Sequence, residues 1–393
     1  MKNIFQSLVL LHYPFRVFFW LTGLYGVVMI LAWMGYLFGG MGFSFTWSPL
    51  HWHSHEMLFG WVAPAIAGFI LTAMCNWTGA PPLQDGRLFA LASVWLAGRI
   101  AMWSAAFLSP WVIALVDGLF LIILAVYVSQ VLLKYGNKRN LVLAAIILVM
   151  ALANLTMHAG FITGKVNLLG KGQLLAMNLV AFMMVVIGGR LIPLCTGNWL
   201  RRQGLSDNLV RISLVEKSAL LLTGLLILVE LFTAPLWVVG SLALVAGLAN
   251  GVRVMGWRGW KTCSEPLLWI LHLGYAWIAV ALILKGLAAF ALVSPASWQH
   301  ALGTGAMAAL ILGLMTRVSL GHTGRPLQLP DFAVLIYLAV SLAAVARVMA
   351  ALQWIDYRWG LTVAAAAWTA AFALFMALYW TTLTRPRVDG RPG

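Results

Sequence analysis

Apolar residues run along this chain in blocks of about twenty or more, broken by short clusters of turn and charged residues. A helix needs roughly 20 such residues to cross the hydrocarbon core of a bilayer. The breaks define twelve spans, near residues 15–37, 49–75, 88–108, 110–133, 140–163, 171–195, 209–231, 234–255, 265–292, 295–320, 330–353 and 359–383. No stretch composes a soluble domain. The pattern predicts an all-α, polytopic integral membrane protein with 12 transmembrane helices, residues 1–393 forming one transmembrane domain. Very short connections between spans three and four, seven and eight, and nine and ten predict antiparallel hairpins. The first run, Phe15 to Leu37, is too long for a signal-peptide core and lacks a small-residue cleavage site, so it reads as a retained helix.

Composition agrees: 63% of the 393 residues are hydrophobic and 9% are charged. A net charge of +15 would suggest nucleic acid in a soluble protein. Here the basic residues sit mostly in short loops, so the expected partner is the lipid bilayer and no nucleic acid. Lys2, Arg16, Arg87, Lys134, Lys138, Arg139, Arg201, Arg202, Arg211, Arg253, Arg258, Lys261, Arg325, Arg385, Arg387 and Arg391 fall on one side. The opposite loops hold only Lys165, Lys171 and Arg358. The positive-inside rule then makes both termini cytoplasmic. Cys75, Cys195 and Cys263 form no spaced metal motif, and their scatter argues against a disulfide scaffold.

Chain direction sorts the histidines. His51, His53, His55, His158 and His300 lie near the outer surface; His12, His272 and His322 lie nearer the cytoplasm. Three of the outer group crowd into His51-Trp52-His53-Ser54-His55 at the mouth of the second span. Imidazoles beside lipid need a reason, and a bound metal or haem is the most economical.

Residues 55–81 and 300–326 align without gaps. They share His55/His300, Gly60/Gly305, Ala63/Ala308, Ile66/Ile311, Gly68/Gly313, Thr78/Thr323, Gly79/Gly324 and Pro81/Pro326. Both helices open with Ser-Pro, at Ser48-Pro49 and Ser294-Pro295, where serine caps and proline suits the first turn. Span six carries a fainter copy, ended by Thr196-Gly197 and holding Gln173 in the histidine column. Spans two, six and ten are four apart. This spacing suggests three four-helix units, about 1–134, 135–255 and 256–393, in a pseudo-threefold array. The bland alternative is that Thr-Gly merely ends helices.

Two histidines at one depth on facing helices, each followed by glycines that let a flat macrocycle approach, suit a b-type haem held by His55 and His300. Structural hydrogen bonding and an ion relay are the competing readings. His51, His53 and His158 are candidate copper ligands, against a plain solvent loop. Glu56 either orients a neighbouring imidazole or complements the helix dipole. Arg358 either pairs with haem propionates or anchors the interface. A second polar group on the cytoplasmic side, His12, Arg190, His272 and His322, is either a ligand pocket or helix-end capping and snorkelling. Glu230 and Lys285 stand at outer helix ends, within reach of water, and acids are expected to be absent from the midplane.

The stretch Trp52-His53-Ser54-His55-Glu56-Met57-Leu58-Phe59-Gly60, followed by Asn76-Trp77-Thr78-Gly79-Ala80-Pro81-Pro82-Leu83, resembles the NnrS family. So do Leu96-Ala97-Gly98-Arg99, Gly188-Gly189-Arg190-Leu191-Ile192-Pro193 and His322-Thr323-Gly324-Arg325-Pro326. The resemblance covers essentially the whole chain. It implies a haem- and copper-containing bacterial inner-membrane protein linked to the nitric oxide response, denitrification and nitrosative stress. A more distant likeness is to the catalytic subunit of haem–copper oxidases, which also has twelve helices and low-spin haem histidines on helices two and ten. His55 and His300 match those roles. The oxidase copper histidines of helices six and seven have no counterpart, and span ten holds one histidine rather than two, so a complete oxygen-reducing centre is not implied.

Two main function classes remain open on the residues. One is a redox or gas-ligand metalloprotein, whether a haem-dependent oxidoreductase or an electron-transfer protein. The other is a transporter for a metal ion or small anion, since twelve helices with an internal repeat are equally usual there. A non-catalytic sensor is a third reading, without a cytoplasmic signalling domain to receive its signal. Neither a substrate nor the electron-transfer partner can be read from the chain.

Overall fold

The structure is a computed structural model and describes residues 8–41 and 46–391. Among these residues the chain is helical, with no strand. The long helices, in order, are α1 (Pro14–Phe38), α2 (Pro49–Thr78), α3 (Asp85–Trp103), α4 (Pro110–Lys134), α5 (Leu141–Ile162), α6 (Val166–Arg202), α7 (Ser213–Leu231), α8 (Leu236–Gly256), α9 (Pro266–Ala289), α10 (Pro295–Gly321), α11 (Val334–Ala351) and α12 (Tyr357–Thr384). Of the described helices, 10 are long and apolar enough to cross a membrane; α3 and α7 are not among them. Proline opens α1, α2, α4, α9 and α10, where its fixed φ is already helical and its missing N–H is not needed.

Two helices are not regular. In α2, α-helix over Pro49–His55 gives way to π-helix over Glu56–Val62, then α-helix resumes over Ala63–Thr78. In α10 the same sequence runs Pro295–His300, Ala301–Met307 and Ala308–Gly321. The π segments begin directly after His55 and His300 and match residue for residue under the internal alignment. The matched Thr-Gly steps also agree, with Gly79 at φ 72° and Gly324 at φ 74°, a left-handed turn that glycine adopts without strain. The local structure therefore repeats where the sequence does.

Several expectations are corrected. Thr196-Gly197 does not end the sixth helix, which runs on to Arg202 past an internal Pro193. Ser48 does not cap α2; its Oγ meets His51 Nδ1 at 3.0 Å, whereas Ser294 does cap α10. Arg16 and Arg253, counted among the loop charges, are buried within α1 and α8. Lys2, counted with them, lies outside the described residues.

Contacts gather the chain into two compact units: Met1–Leu179 with Arg317–Leu327 and Phe375–Gly393, and Val180–Thr316 with Gln328–Leu374. In the first unit, α1 packs on α2 where Gly68 admits Phe18 and Phe19, and the Phe15 amide donates to Thr72 Oγ1 at 3.1 Å. Arg16 donates to the carbonyls of Thr382, Leu383 and Arg385, which the end of α12 leaves without helical partners. In the second unit, α8 and α9 approach closely through small residues. A Cβ on Gly247 would press on Ile283, and one on Gly286 on Leu244.

Candidate metal centre

The first unit holds a buried polar cluster drawn from five helices. His55 closes the first α segment of α2, and Glu56 opens its π segment. Asp117 comes from α4, and Asn154 and His158 come from α5. The last two are four apart, so they share one helix face. Arg99 comes from α3 and Tyr25 from α1. His55 and Glu56 are fully buried, and Asp117 and His158 nearly so. Charges so enclosed must compensate one another.

Asp117 is the hub. Its Oδ2 lies 2.9 Å from His158 Nε2, 3.1 Å from His55 Nε2 and 2.8 Å from Asn154 Nδ2, which donates to it. Its Oδ1 accepts from Arg99 Nη2. The other end of the guanidinium donates to Glu56 Oε1 at 2.5 Å, so one arginine ties both carboxylates. Glu56 Oε1 also meets His55 Nδ1 at 3.0 Å, and its Oε2 accepts from the Tyr25 hydroxyl. Trp103 Nε1 donates to that hydroxyl at 2.9 Å. Trp47 covers the cluster, its ring 5.1 Å from His55 and 5.2 Å from His158, and stacks on Phe161.

These contacts constrain protons. A carboxylate only accepts, so His55 Nδ1 carries the proton it donates to Glu56. Nε2 then turns its lone pair toward Asn154 Oδ1, at 3.0 Å, and Asp117 Oδ2, both acceptors. A proton or a metal cation between them relieves the opposition. With neutral imidazoles, Arg99, Glu56 and Asp117 leave one negative charge in excess. A proton on Nε2 or a metal cation offsets it.

His55, Asp117 and His158 offer donor atoms that all lie within 4.8 Å of one another. Bonds of about 2.0–2.2 Å to a metal put neighbouring donors about 3–3.6 Å apart. Two imidazoles and a carboxylate are a donor set for copper or zinc, so these residues fit a small metal ion. They do not fit an axial bond from His55 to haem iron in this arrangement, because Nε2 faces Asp117 and Asn154.

The other predicted residues are spread more widely. His51 pairs with Ser48, and His53 stacks on Trp33 with centroids 4.4 Å apart, so the structure brings neither to His158. Gln173 meets Ser54 Oγ at 3.0 Å. His300, in the second unit, donates from Nδ1 to the Ala296 carbonyl at 2.8 Å. Space beside Gly60 is filled by Tyr25 and Arg99, and beside Gly305 by Trp277. Arg358 and Arg190 are exposed. His12 and His322 belong to the first unit; the His322 ring lies against Tyr13 and Phe15. His272, in the second unit, meets Thr196 Oγ1 at 2.9 Å.

Asp117, Asn154 and Arg99 as site residues escaped sequence reasoning, although Asp117 is an acid buried within an apolar helix. The signal was available: Asp117 is the one acid in the fourth apolar run, and Arg99 lies in the third, each requiring a partner. A second network was missed in the same way. Arg253 donates to both Glu216 Oε2, at 2.6 Å, and Tyr275, at 2.8 Å, and to the Val185 carbonyl at 3.0 Å. Glu230 and Lys285, expected at outer helix ends within reach of water, pair with each other at 2.7 Å with side chains 10% and 5% exposed.

The NnrS protein family model matches residues 9–387, nearly the whole chain, and the chain belongs to that family. No curated protein matches it.

Proposed function

We propose that this NnrS-family chain is a metalloprotein of the bacterial inner membrane, acting in the response to nitric oxide and nitrosative stress, with one metal ion, copper as the family resemblance implies, held by His55, Asp117 and His158. The convergence of two imidazole Nε2 atoms on one Asp117 oxygen carries this reading. Bound copper would supply a one-electron redox centre able to take a small ligand. The surrounding residues supply the rest. Arg99 fixes both carboxylates, Glu56 orients His55 by accepting from Nδ1, and Trp47 and Phe59 screen the imidazoles from water. Twelve crossings with cytoplasmic termini, in four-helix units of about 1–134, 135–255 and 256–393, complete the topology proposed.

The test is metal analysis of purified protein after copper loading. One copper per chain is expected, falling to near zero in His158→Gln. Equal copper in both proteins would overturn the assignment.

A second reading keeps a haem b on His55 and His300, with Gly60, Gly305 and Arg358 around it. The π segment that follows each histidine in the same register supports it. It requires His55 Nε2 to leave Asp117 and Asn154. A Soret band lost in His300→Ala supports this reading; absence of any haem band in protein made with ample haem rejects it.

A further inference from the structure

Beyond the ligands, the cluster contains a chain of hydrogen bonds that converges on Glu56. Trp103 Nε1–H donates to the Tyr25 oxygen, the Tyr25 hydroxyl donates to Glu56 Oε2, and Glu56 Oε1 accepts from His55 Nδ1–H. Tyr25 is buried and seated by Trp95, which packs edge-on at 5.5 Å. Trp95 is held in turn by its bond to the Gly60 carbonyl at 3.1 Å. Gly60 is needed there, because a Cβ would fall 2.4 Å from the Tyr25 ring. Three helices therefore fix a hydroxyl on the one carboxylate that touches a candidate ligand but is not itself among the donors.

We propose that Tyr25 is a positioning residue that sets how strongly His55 donates electrons to a bound metal. The inference rests on the metal-centre reading above. Glu56 divides its negative charge among His55, Arg99 and Tyr25. Each donor that binds the carboxylate lowers its pull on the others. The Tyr25 hydroxyl thus weakens acceptance from Nδ1–H and keeps the imidazole close to its neutral form. Without the hydroxyl, Glu56 accepts more strongly from His55, and Nε2 becomes a better donor. A better donor stabilises the higher oxidation state of copper and lowers its reduction potential. Trp103 acts one step back: its N–H polarises the Tyr25 hydroxyl and makes it a stronger donor. The directions are therefore ordered, with the Tyr25 effect larger than the Trp103 effect and of the same sign.

The experiment is redox titration of copper-loaded full-length protein, followed by the Cu(II) EPR signal, for wild type, Tyr25→Phe and Trp103→Phe, with copper per chain measured on each sample. The expected result is unchanged copper content with a lower midpoint in Tyr25→Phe and a smaller decrease in Trp103→Phe. Unchanged or raised midpoints at full copper content overturn the inference and leave the metal centre standing. Loss of copper from Tyr25→Phe alone also overturns it, making Tyr25 a structural support. Wild-type protein that takes up no copper removes the centre itself, and this inference with it.

Discussion

His158 Nε2 stands 2.9 Å from Asp117 Oδ2, across 41 residues of sequence and from one helix to the next. That contact joins a histidine to an acid that an apolar run would be expected to exclude. Asp117 survives in α4 because Arg99, Asn154 and two imidazoles enclose it. Asp117→Ala is expected to abolish copper uptake and to destabilise the first unit by about 3–5 kcal/mol, since Arg99 keeps only Glu56. Copper content and thermal unfolding in detergent check the two effects separately. His51→Ala is expected to retain full copper, because His51 is engaged by Ser48.

In the proposed centre Glu56 would act through His55 rather than on the metal. Glu56→Gln keeps the shape but loses the charge that holds Nδ1–H, Arg99 and Tyr25. Copper affinity is expected to fall about 10–100-fold, in the range for partners of metal-bound histidines. A competition titration against a chelator of known affinity measures it, and unchanged affinity would show that the carboxylate serves the fold alone.

The Arg253 network of the second unit gives a control. Glu216 accepts two bonds from Arg253, and Tyr275 passes its hydroxyl proton toward Asn250 at 2.7 Å. Glu216→Ala leaves a buried guanidinium without its carboxylate and is expected to cost about 3–5 kcal/mol. Its copper content should stay at the wild-type value. A parallel loss of copper would show that such losses report general unfolding.

Beyond the membrane helices, the C-terminal tail carries a pH dependence. The Val388 amide donates to the Thr323 carbonyl at 3.2 Å, and Arg387 donates to the His322 carbonyl at 2.9 Å. Burial, with Arg387 nearby, pushes the His322 pKa down to about 4. Arg387 holds the Asp389 carboxyl well below the usual carboxylate range, so Asp389 stays charged in this window. The undocked state binds a proton on His322 more readily than the docked one. Undocking takes Arg387 away from His322, so docking weakens as pH falls toward about 4. Hydrogen-exchange protection of the Val388 amide, corrected for intrinsic rate, should decline as pH falls toward that value. His322→Gln should flatten the decline.

The sequence shows the helices because a bilayer demands long apolar runs, and proline marks many of their starts. It shows the pairing of His55 with His300 as a repeat, which the matched π segments extend to local structure. It does not show the π segments themselves, since no residue pattern separates a π turn from its α neighbours. Clustering in sequence also misled. His51 and His53 are near His55 along the chain, yet they face Ser48 and Trp33, while His55 meets residues of α4 and α5. The rule that brings out Asp117, Arg99, Glu216 and Arg253 is electrostatic: a charge inside an apolar run implies an opposite charge in a neighbouring run.

One copper ion held by His55, Asp117 and His158 is the proposal on which the other expectations depend. Pulsed EPR of the Cu(II)-loaded protein counts bound imidazoles directly. Two histidine couplings are expected in wild type and in His51→Ala, and little or no bound copper in His158→Gln and in Asp117→Ala. Two couplings that persist in His158→Gln, or a wild-type signal without histidine nitrogen, would contradict the proposal.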